Sequence, residues 1–409
     1  MTFKVKTKGQ IEGEELLVPK LRFKEFKDDW IKNKLGEIGV FKNGISKSEK
    51  YFGHGYKFVN LQDIFGKNEI KNGDYQLVEV SPKELDEYKL NIGDVLFVRS
   101  SVKPSGVGLT SVVTEKMIDT VYSGFIIRFR EIYNILNLNF KKYCFYTDNF
   151  RKEVLKRSSS SANTNINQDN LSVLPIYYPS KIEQEKIANF LSLLDKKIEL
   201  QNQKIEALKI YKKGLVSHIF KNISSTKKLK NIVTFQNGIG YENLVDVTGN
   251  YNLISLNSIT IDGKLNKFMK KIKSDLPVST LKKNDIVIIM SDVGHGDFLG
   301  VSAIIPDDNK YVLNQRVGLL RITDNTIPQY LLYAINNLQS YFKKYGQGSS
   351  QLNLSKGDIL NVNIPYIDIY SQKKLSDFFI LFDKKISSAN FKLENLKSLR
   401  KSLLQQMFI

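Results

Sequence analysis

The chain spells one unit twice, and any fold it adopts must accommodate that repeat of about 190 residues. Leu35-Gly36-Glu37-Ile38, followed by Phe41-Lys42-Asn43-Gly44-Ile45, returns 194 residues later as Leu229-Lys230-Asn231-Ile232 and Phe235-Gln236-Asn237-Gly238-Ile239. Tyr56 to Leu61 returns as Tyr251 to Leu256, and Asn91-Ile92-Gly93-Asp94-Val95-Leu96-Phe97-Val98 returns as Lys282-Lys283-Asn284-Asp285-Ile286-Val287-Ile288-Ile289. Late in each copy a Ser-rich loop precedes Asn165-Ile166-Asn167 or Asn353-Leu354-Ser355.

The closing segments match most sharply, without a gap, from Gln184 to Phe220 and from Gln372 to Phe408. Gln184, Asp195-Lys196-Lys197-Ile198, Glu206 and Leu215 return as Gln372, Asp383-Lys384-Lys385-Ile386, Glu394 and Leu403. Both segments carry apolar residues at alternating spacings of four and three, the mark of a heptad seam. The first seam reads Ile187, Leu191, Leu194, Ile198, Ile205, Leu208, Leu215 and Ile219; the second reads Leu375, Phe379, Phe382, Ile386, Ala389, Leu393, Leu396, Leu403 and Met407. Only Gln201, Lys212 and Arg400 interrupt them. Helices of this length extend about 60 Å, so the two rods are expected to pack on each other as an antiparallel coiled coil. The alternative is that each is an ordinary amphipathic helix lying on its own globule.

Ahead of each rod, Gly and Asn turns separate short β-rich runs, with Val95–Val98 and Ile286–Met290 as buried strands and helices over Phe140–Phe150 and Gln329–Tyr345. The expected fold is therefore α+β with an internal pseudo-two-fold repeat: a loose lead-in over 1–20, globules over 21–180 and 223–368, and helical spacers over 181–222 and 369–409. Equivalent globules on equivalent rods would grip a two-fold ligand, and duplex DNA with two half-sites is the natural candidate, the rods acting as a ruler between them.

Charge agrees with that candidate. Sixty-one Lys and Arg against 42 Asp and Glu leave a formal net charge of +19, which favours a polyanionic partner, although an A+T-rich genome would also inflate Lys. One cysteine, Cys144, excludes an internal disulfide and points to a reducing compartment. No run approaches the roughly 18 apolar residues that span a bilayer, and Met1 to Lys6 holds no signal-peptide apolar region. The expected location is cytoplasmic, with no membrane partner.

Catalytic constellations are missing. Gly66-Lys67 is followed by Asn68 and Gly263-Lys264 by Leu265, so neither forms a P-loop. The nine prolines include no adjacent pair, which removes the Pro-Pro turn of an amino-methyltransferase pocket. His54, His218 and His295 stand singly and, with one cysteine, make no zinc ligand set. The Asp-Lys-Lys segments are the only support for the alternative reading, a nuclease or methyltransferase with an unfamiliar motif.

What remains suits nucleic acid. Loops following the buried strands, Arg99-Ser100-Ser101 with Lys103 and Ser291-Asp292, occupy equivalent positions with dissimilar chemistry, as two readers of different base sequences would. Lys42-Asn43-Gly44 and Gln236-Asn237-Gly238 combine amide side chains with close backbone approach. Asn and Gln pair with adenine, and Arg99 or Arg316 with guanine. Arg151, Lys152, Lys156 and Arg157 before Ser158 to Ser161, and Lys343-Lys344 before Ser349-Ser350, resemble phosphate clamps, with a solvated helix end as the competing reading.

Leu21-Arg22-Phe23-Lys24-Glu25-Phe26, Trp30, the two Asn-Gly-Ile turns, and Glu183-Gln184-Glu185-Lys186-Ile187-Ala188 running into Leu194-Asp195-Lys196-Lys197-Ile198 resemble the specificity subunit of type I restriction-modification systems. The second copy departs at Ser371 and Phe382. The resemblance implies two target recognition domains, each reading half of a bipartite site on double-stranded DNA, in a subunit that is not itself catalytic. It also implies two modification subunits that methylate adenine with S-adenosylmethionine, and restriction subunits that use ATP and Mg2+; this chain would bind no cofactor and no metal. The rods, with Gln184, Asp195, Lys196, Lys197, Gln372, Asp383, Lys384 and Lys385, would dock those partners.

Overall fold

The computed structural model describes residues 3–5, 17–160, 162–273, 279–294 and 296–409; Ser161, His295 and most of the lead-in lie outside them. The chain forms two compact units, Met1–Asn202 with Lys392–Ile409, and Gln203–Phe391. Within the lead-in, Phe3–Val5 is a strand paired antiparallel with Leu21–Phe23.

Unit 1 is built on a five-stranded sheet in the order Gly39–Asn43, Ile126–Glu131, Val95–Val98, Thr110–Val113, Glu69–Ile70. Unit 2 repeats its first four strands as Val233–Asn237, Val317–Ile322, Ile286–Ile289, Ser302–Ile304. Register is conserved with order: Phe41 opposes Phe129, which opposes Val95, and Phe235 opposes Leu320, which opposes Ile286. The continuous apolar runs have a physical reason, because both faces of the sheet are covered. Alternate residues Val95 and Phe97 enter one core while Leu96 and Val98 enter another. In unit 2, Ile286 and Ile288 divide from Val287 and Ile289 in the same way.

A second, three-stranded sheet accompanies each first one: Thr120–Tyr122, Phe52–Val59 and Gln76–Val78 in unit 1, and Lys271–Ile272, Tyr251–Ile254 and Tyr311–Leu313 in unit 2. Each late helix of the sequence reading is a pair: Leu138–Cys144 with Asp148–Arg157, and Pro328–Asn336 with Gln339–Tyr345. The break in unit 1 lies at Thr147, whose hydroxyl caps the second helix by accepting from the Phe150 amide at 3.2 Å.

The closing segments are helices Lys181–Lys221 and Ile369–Gln406. Each unit contains one half of each helix, and the halves run antiparallel. In unit 1, Ile187 and Leu191 share a core with Leu404, Met407 and Phe408; in unit 2, the Phe220 and Phe379 rings lie 6.0 Å apart and those of Tyr211 and Phe382 5.8 Å apart. The helices are thus part of each globule's core rather than detached spacers. Trp30, 2% exposed, packs on Phe140 and on Phe408 of the second long helix.

The seam departs from strict heptads at its end. The buried residues are Val216 and Phe220 rather than Leu215 and Ile219, and Leu404 and Phe408 beside Met407 rather than Leu403. The steps from Ile205 to Val216 and from Leu393 to Leu404 are eleven residues, which a helix of 3.6 residues per turn follows without supercoiling to the left.

Candidate nucleic-acid interface

One clamp on a buried carboxylate sets the frame of each globule. Asp94, 1% exposed, stands just before its strand and receives both Nε and Nη2 of Arg130 at 2.7 Å, together with the Asn91 amide at 2.7 Å. Asp285 is held identically by Arg321, at 2.8 and 2.6 Å, and by the Lys282 amide at 2.7 Å. Bidentate guanidinium–carboxylate pairing fixes orientation as well as charge, so both central strands start from the same anchor. The repeat at Asp94 and Asp285 is visible in sequence; the arginine partners, 36 residues on in the adjoining strand, are not.

The opposite end of the central sheet gathers the polar loops. Beyond Val98, Ser100–Ser101 pairs antiparallel with Thr164–Asn165, which pairs with Ser159–Ser160. Beyond Ile289, Ser291–Asp292 pairs with Leu352–Asn353, and the Ser291 hydroxyl donates to Asn353 Oδ1 at 2.7 Å. The Ser-rich loops, the Asn-containing segments and the loops after the buried strands thus meet in each unit. The Asn-Gly turns lie at the same end: Gly44 donates to Ile126 at 3.0 Å, and Gly238 to Val317 at 3.2 Å.

Arg99, Lys103, Gln236, Asn237, Arg316, Lys343 and Lys344 are exposed there, and Asn43 is half-buried. Several of the candidates are already engaged. Lys42 pairs with Glu87 and lies 4.6 Å from the Tyr88 ring centre. Arg157 pairs with Glu153, and Lys343 donates to Asp297 at 2.8 Å. Asp292 is buried and accepts from the Phe298 amide at 3.2 Å. Arg151, read from sequence as a phosphate clamp, instead donates to the carbonyls of Ser105 and Val107 at 3.1 and 2.6 Å. Burial lowers its pKa; it pins the loop rather than facing a ligand. Gly44 and Gly238 serve internal packing: a Cβ on either would stand 2.2 Å from the Ser123 carbonyl oxygen or 2.0 Å from that of Asn314. The exposed tip residue Phe125 is absent from the sequence reading, because a lone aromatic after Gly carries no periodic signal.

The docking residues divide. Gln184 and Gln372 are each 1% exposed. The Gln184 amide oxygen accepts from the Asn137 amide at 2.7 Å while its nitrogen donates to Pro179, and Gln372 repeats this with Ile327 at 2.9 Å and Ile367. Asp195 accepts from Tyr143 at 2.9 Å and pairs with Arg400. Asp383 accepts from Tyr333 and pairs with Lys212 at 2.7 Å. Burial, with the neighbouring carboxylates acting in the same sense, raises both tyrosine pKa values. These four residues join helix to globule: Gln184 and Gln372 are too buried to form a surface for partners, and the pairing of Asp195 and Asp383 gives the Asp-Lys-Lys repeat a structural reason. Lys196, Lys197, Lys384 and Lys385 are exposed, with Lys196 pairing to Glu199 at 2.8 Å.

The departure at Ser371 also has a cause. Glu183 receives Arg22 Nε and Nη2, each at 2.7 Å. Arg22 belongs to the segment ahead of the first copy, which the second copy lacks.

Among the described residues no helix is long and apolar enough to cross a membrane, and no group of three or more His, Cys, Asp or Glu is placed to hold a metal ion.

The chain is similar to two proteins of Methanocaldococcus jannaschii. One is the putative type I restriction enzyme MjaX specificity subunit, 27% identical over 212 residues, covering 50% of this chain and 49% of that protein. The other is the type I restriction enzyme MjaVIII specificity subunit, 22% identical over 290 residues, covering 64% and 68%. The first match thus spans about half the relative's length. Among solved structures, one described under complex assembly and conformational transition of the type I R-M system aligns over 93% of this chain and 97% of its own, with TM-score 0.66 and 13% identity. The type I restriction-modification S subunit from M. genitalium aligns over 96% and 99%, with TM-score 0.50 and 17% identity. These likenesses carry the fold. The model of the type I restriction modification DNA specificity domain matches residues 27–210 and again 221–398. The chain belongs to that family and carries its domain twice.

Proposed function

We propose that this chain is the DNA-reading subunit of a type I restriction-modification complex, each unit reading one half of a bipartite duplex site through the loop end of its central sheet. The observation that carries this reading is the repeated frame with unlike side chains: strand register and the Asp–Arg clamp recur, while Ser101 and Phe125 give way to Asp292 and Arg316 at the tips. A conserved scaffold with divergent polar tips is what base-edge readout of two different sequences requires. Exposed Arg99, Lys103, Lys152 and Lys156 supply phosphate contacts that position the duplex.

In this reading methylation and cleavage, with S-adenosylmethionine, ATP and Mg2+, belong to modification and restriction subunits in the cytoplasm. The docking surface for two modification subunits is an apolar stripe on the outer face of the long helices. In unit 1 it comprises Ile182, Leu193 and Leu200, 74%, 66% and 53% exposed; in unit 2 the equivalent Tyr370 and Leu381 are 66% and 61% exposed. Exposed apolar residues in register on a helix are a recognised partner signature.

The test is selection of duplexes from a randomised pool by the full chain with its modification subunits. The reading expects one bipartite sequence, with Leu193→Glu and Leu381→Glu abolishing assembly. Uniform affinity for all duplexes would refute DNA reading; assembly indifferent to both substitutions would refute the docking stripe.

A further inference from the structure

At one equivalent position the two repeats present an apolar ring and a guanidinium. The turn Ser123-Gly124-Phe125 enters strand Ile126–Glu131, and Asn314-Gln315-Arg316 enters Val317–Ile322. The backbone bonds correspond. Ile126 donates to the Ser123 carbonyl at 2.9 Å and Val317 to that of Asn314 at 3.0 Å. The carbonyls of Phe125 and Arg316 accept from Arg99 and Met290 at 2.9 and 3.1 Å. The frame is shared and the side chain is not.

The surroundings differ to match. Phe125 is 58% exposed and forms one wall of an open cavity of about 570 Å³ whose apolar lining includes Leu61, Phe65, Val102 and Leu109, with Lys103 also at its wall. Val102 is 82% exposed. Arg99, beside the turn, donates to the Gly124 carbonyl at 3.3 Å. In unit 2, Arg316 is exposed and its neighbours Asn314 and Gln315 hold Glu242 at 3.1 and 3.3 Å.

An apolar concavity among cationic groups stays unfavourably hydrated until an apolar group fills it. The apolar group that a base edge offers in the major groove is the thymine C5-methyl, whereas guanine offers O6 and N7 to a guanidinium. We infer that this turn tip is a specificity-determining position in each unit, with Phe125 and its cavity taking a thymine methyl in one half-site and Arg316 taking guanine in the other. The inference rests on the reading that each unit reads half of a bipartite site.

The test begins with the duplex selected by the full chain with its modification subunits. Each thymine is replaced in turn by deoxyuridine, which lacks only the methyl, and each guanine by 7-deazaguanine, which lacks the N7 acceptor. One deoxyuridine position should weaken binding about fourfold, the worth of one buried methyl group. Phe125→Ala should bind the thymine and deoxyuridine duplexes equally, while Phe125→Leu keeps the difference. One 7-deazaguanine position in the other half-site should weaken binding about tenfold, and Arg316→Gln should erase that difference. If no sequence is selected, the functional reading falls and the inference with it. If a sequence is selected but both variants keep the wild-type sensitivities, the inference alone falls. It falls equally if binding ignores the methyl but tightens over a mismatch, because the cavity then takes an unstacked base.

Discussion

Lys212 of the first long helix donates to Asp383 of the second at 2.7 Å, and its counterpart 188 residues on, Arg400, pairs with Asp195. Two of the three residues that interrupt the apolar seams are thus the cations that pair with the repeated aspartates. Tyr143 and Tyr333, from the globules' helices, complete the sites. Burial opposes charge on Arg400, and Asp195 outweighs it, holding the arginine pKa above its ordinary value.

Removing one aspartate should therefore leave a cation and a tyrosine hydroxyl without their acceptor. Asp383→Ala and Asp195→Ala should each cost about 1–3 kcal/mol in urea unfolding, while leaving the selected DNA sequence unchanged. Unchanged stability in both variants would remove the junction role argued for these carboxylates.

Gly44→Ala and Gly238→Ala should be far more damaging than their half-buried, turn-like context suggests. With backbone oxygens 2.2 and 2.0 Å from the added Cβ, relief requires moving main chain, and the expected loss is about 3 kcal/mol or more. The check is a thermal melt of each variant beside Asn237→Ala, which should differ little from the parent.

Gly214→Ala should act in the opposite direction. Gly214 lies inside helix Lys181–Lys221, and a Cβ there meets no atom within 4 Å. The exchange should add about 1 kcal/mol of stability by removing the entropic cost of glycine in a helix. A loss of stability in denaturant titration would show that the helix needs glycine at this point.

The Cys144 thiol should resist modification. It is 3% exposed among Trp30, Phe97 and Phe140 in the unit 1 core, and burial pushes its pKa up, so the reactive thiolate is scarce at pH 8. A thiol-specific chromophore should label it only on addition of denaturant; rapid labelling of the native protein would contradict the packing described.

Periodicity and repetition were legible in the sequence alone. Val95–Val98 and Ile286–Ile289 read as buried strands because every residue is apolar, and the long helices read as rods because their apolar positions recur at helical spacing. The duplication itself and the family motifs around Arg22 and Glu183 followed from order along the chain, whereas the meeting of Ser-rich loops with equivalent strand ends is a product of the fold. Tertiary structure decided which polar residues remain available. Gln184, Asp195, Gln372 and Asp383 repeat conspicuously, yet their partners Asn137, Tyr143, Ile327 and Tyr333 stand roughly 50 residues away. Arg151 and Lys152 are neighbours of like charge, yet only the first is folded inward onto the carbonyls of Ser105 and Val107. Local pattern records the period of burial, which is a property of one segment; whether a charge is spent on the fold or left for DNA depends on what distant segments bring beside it.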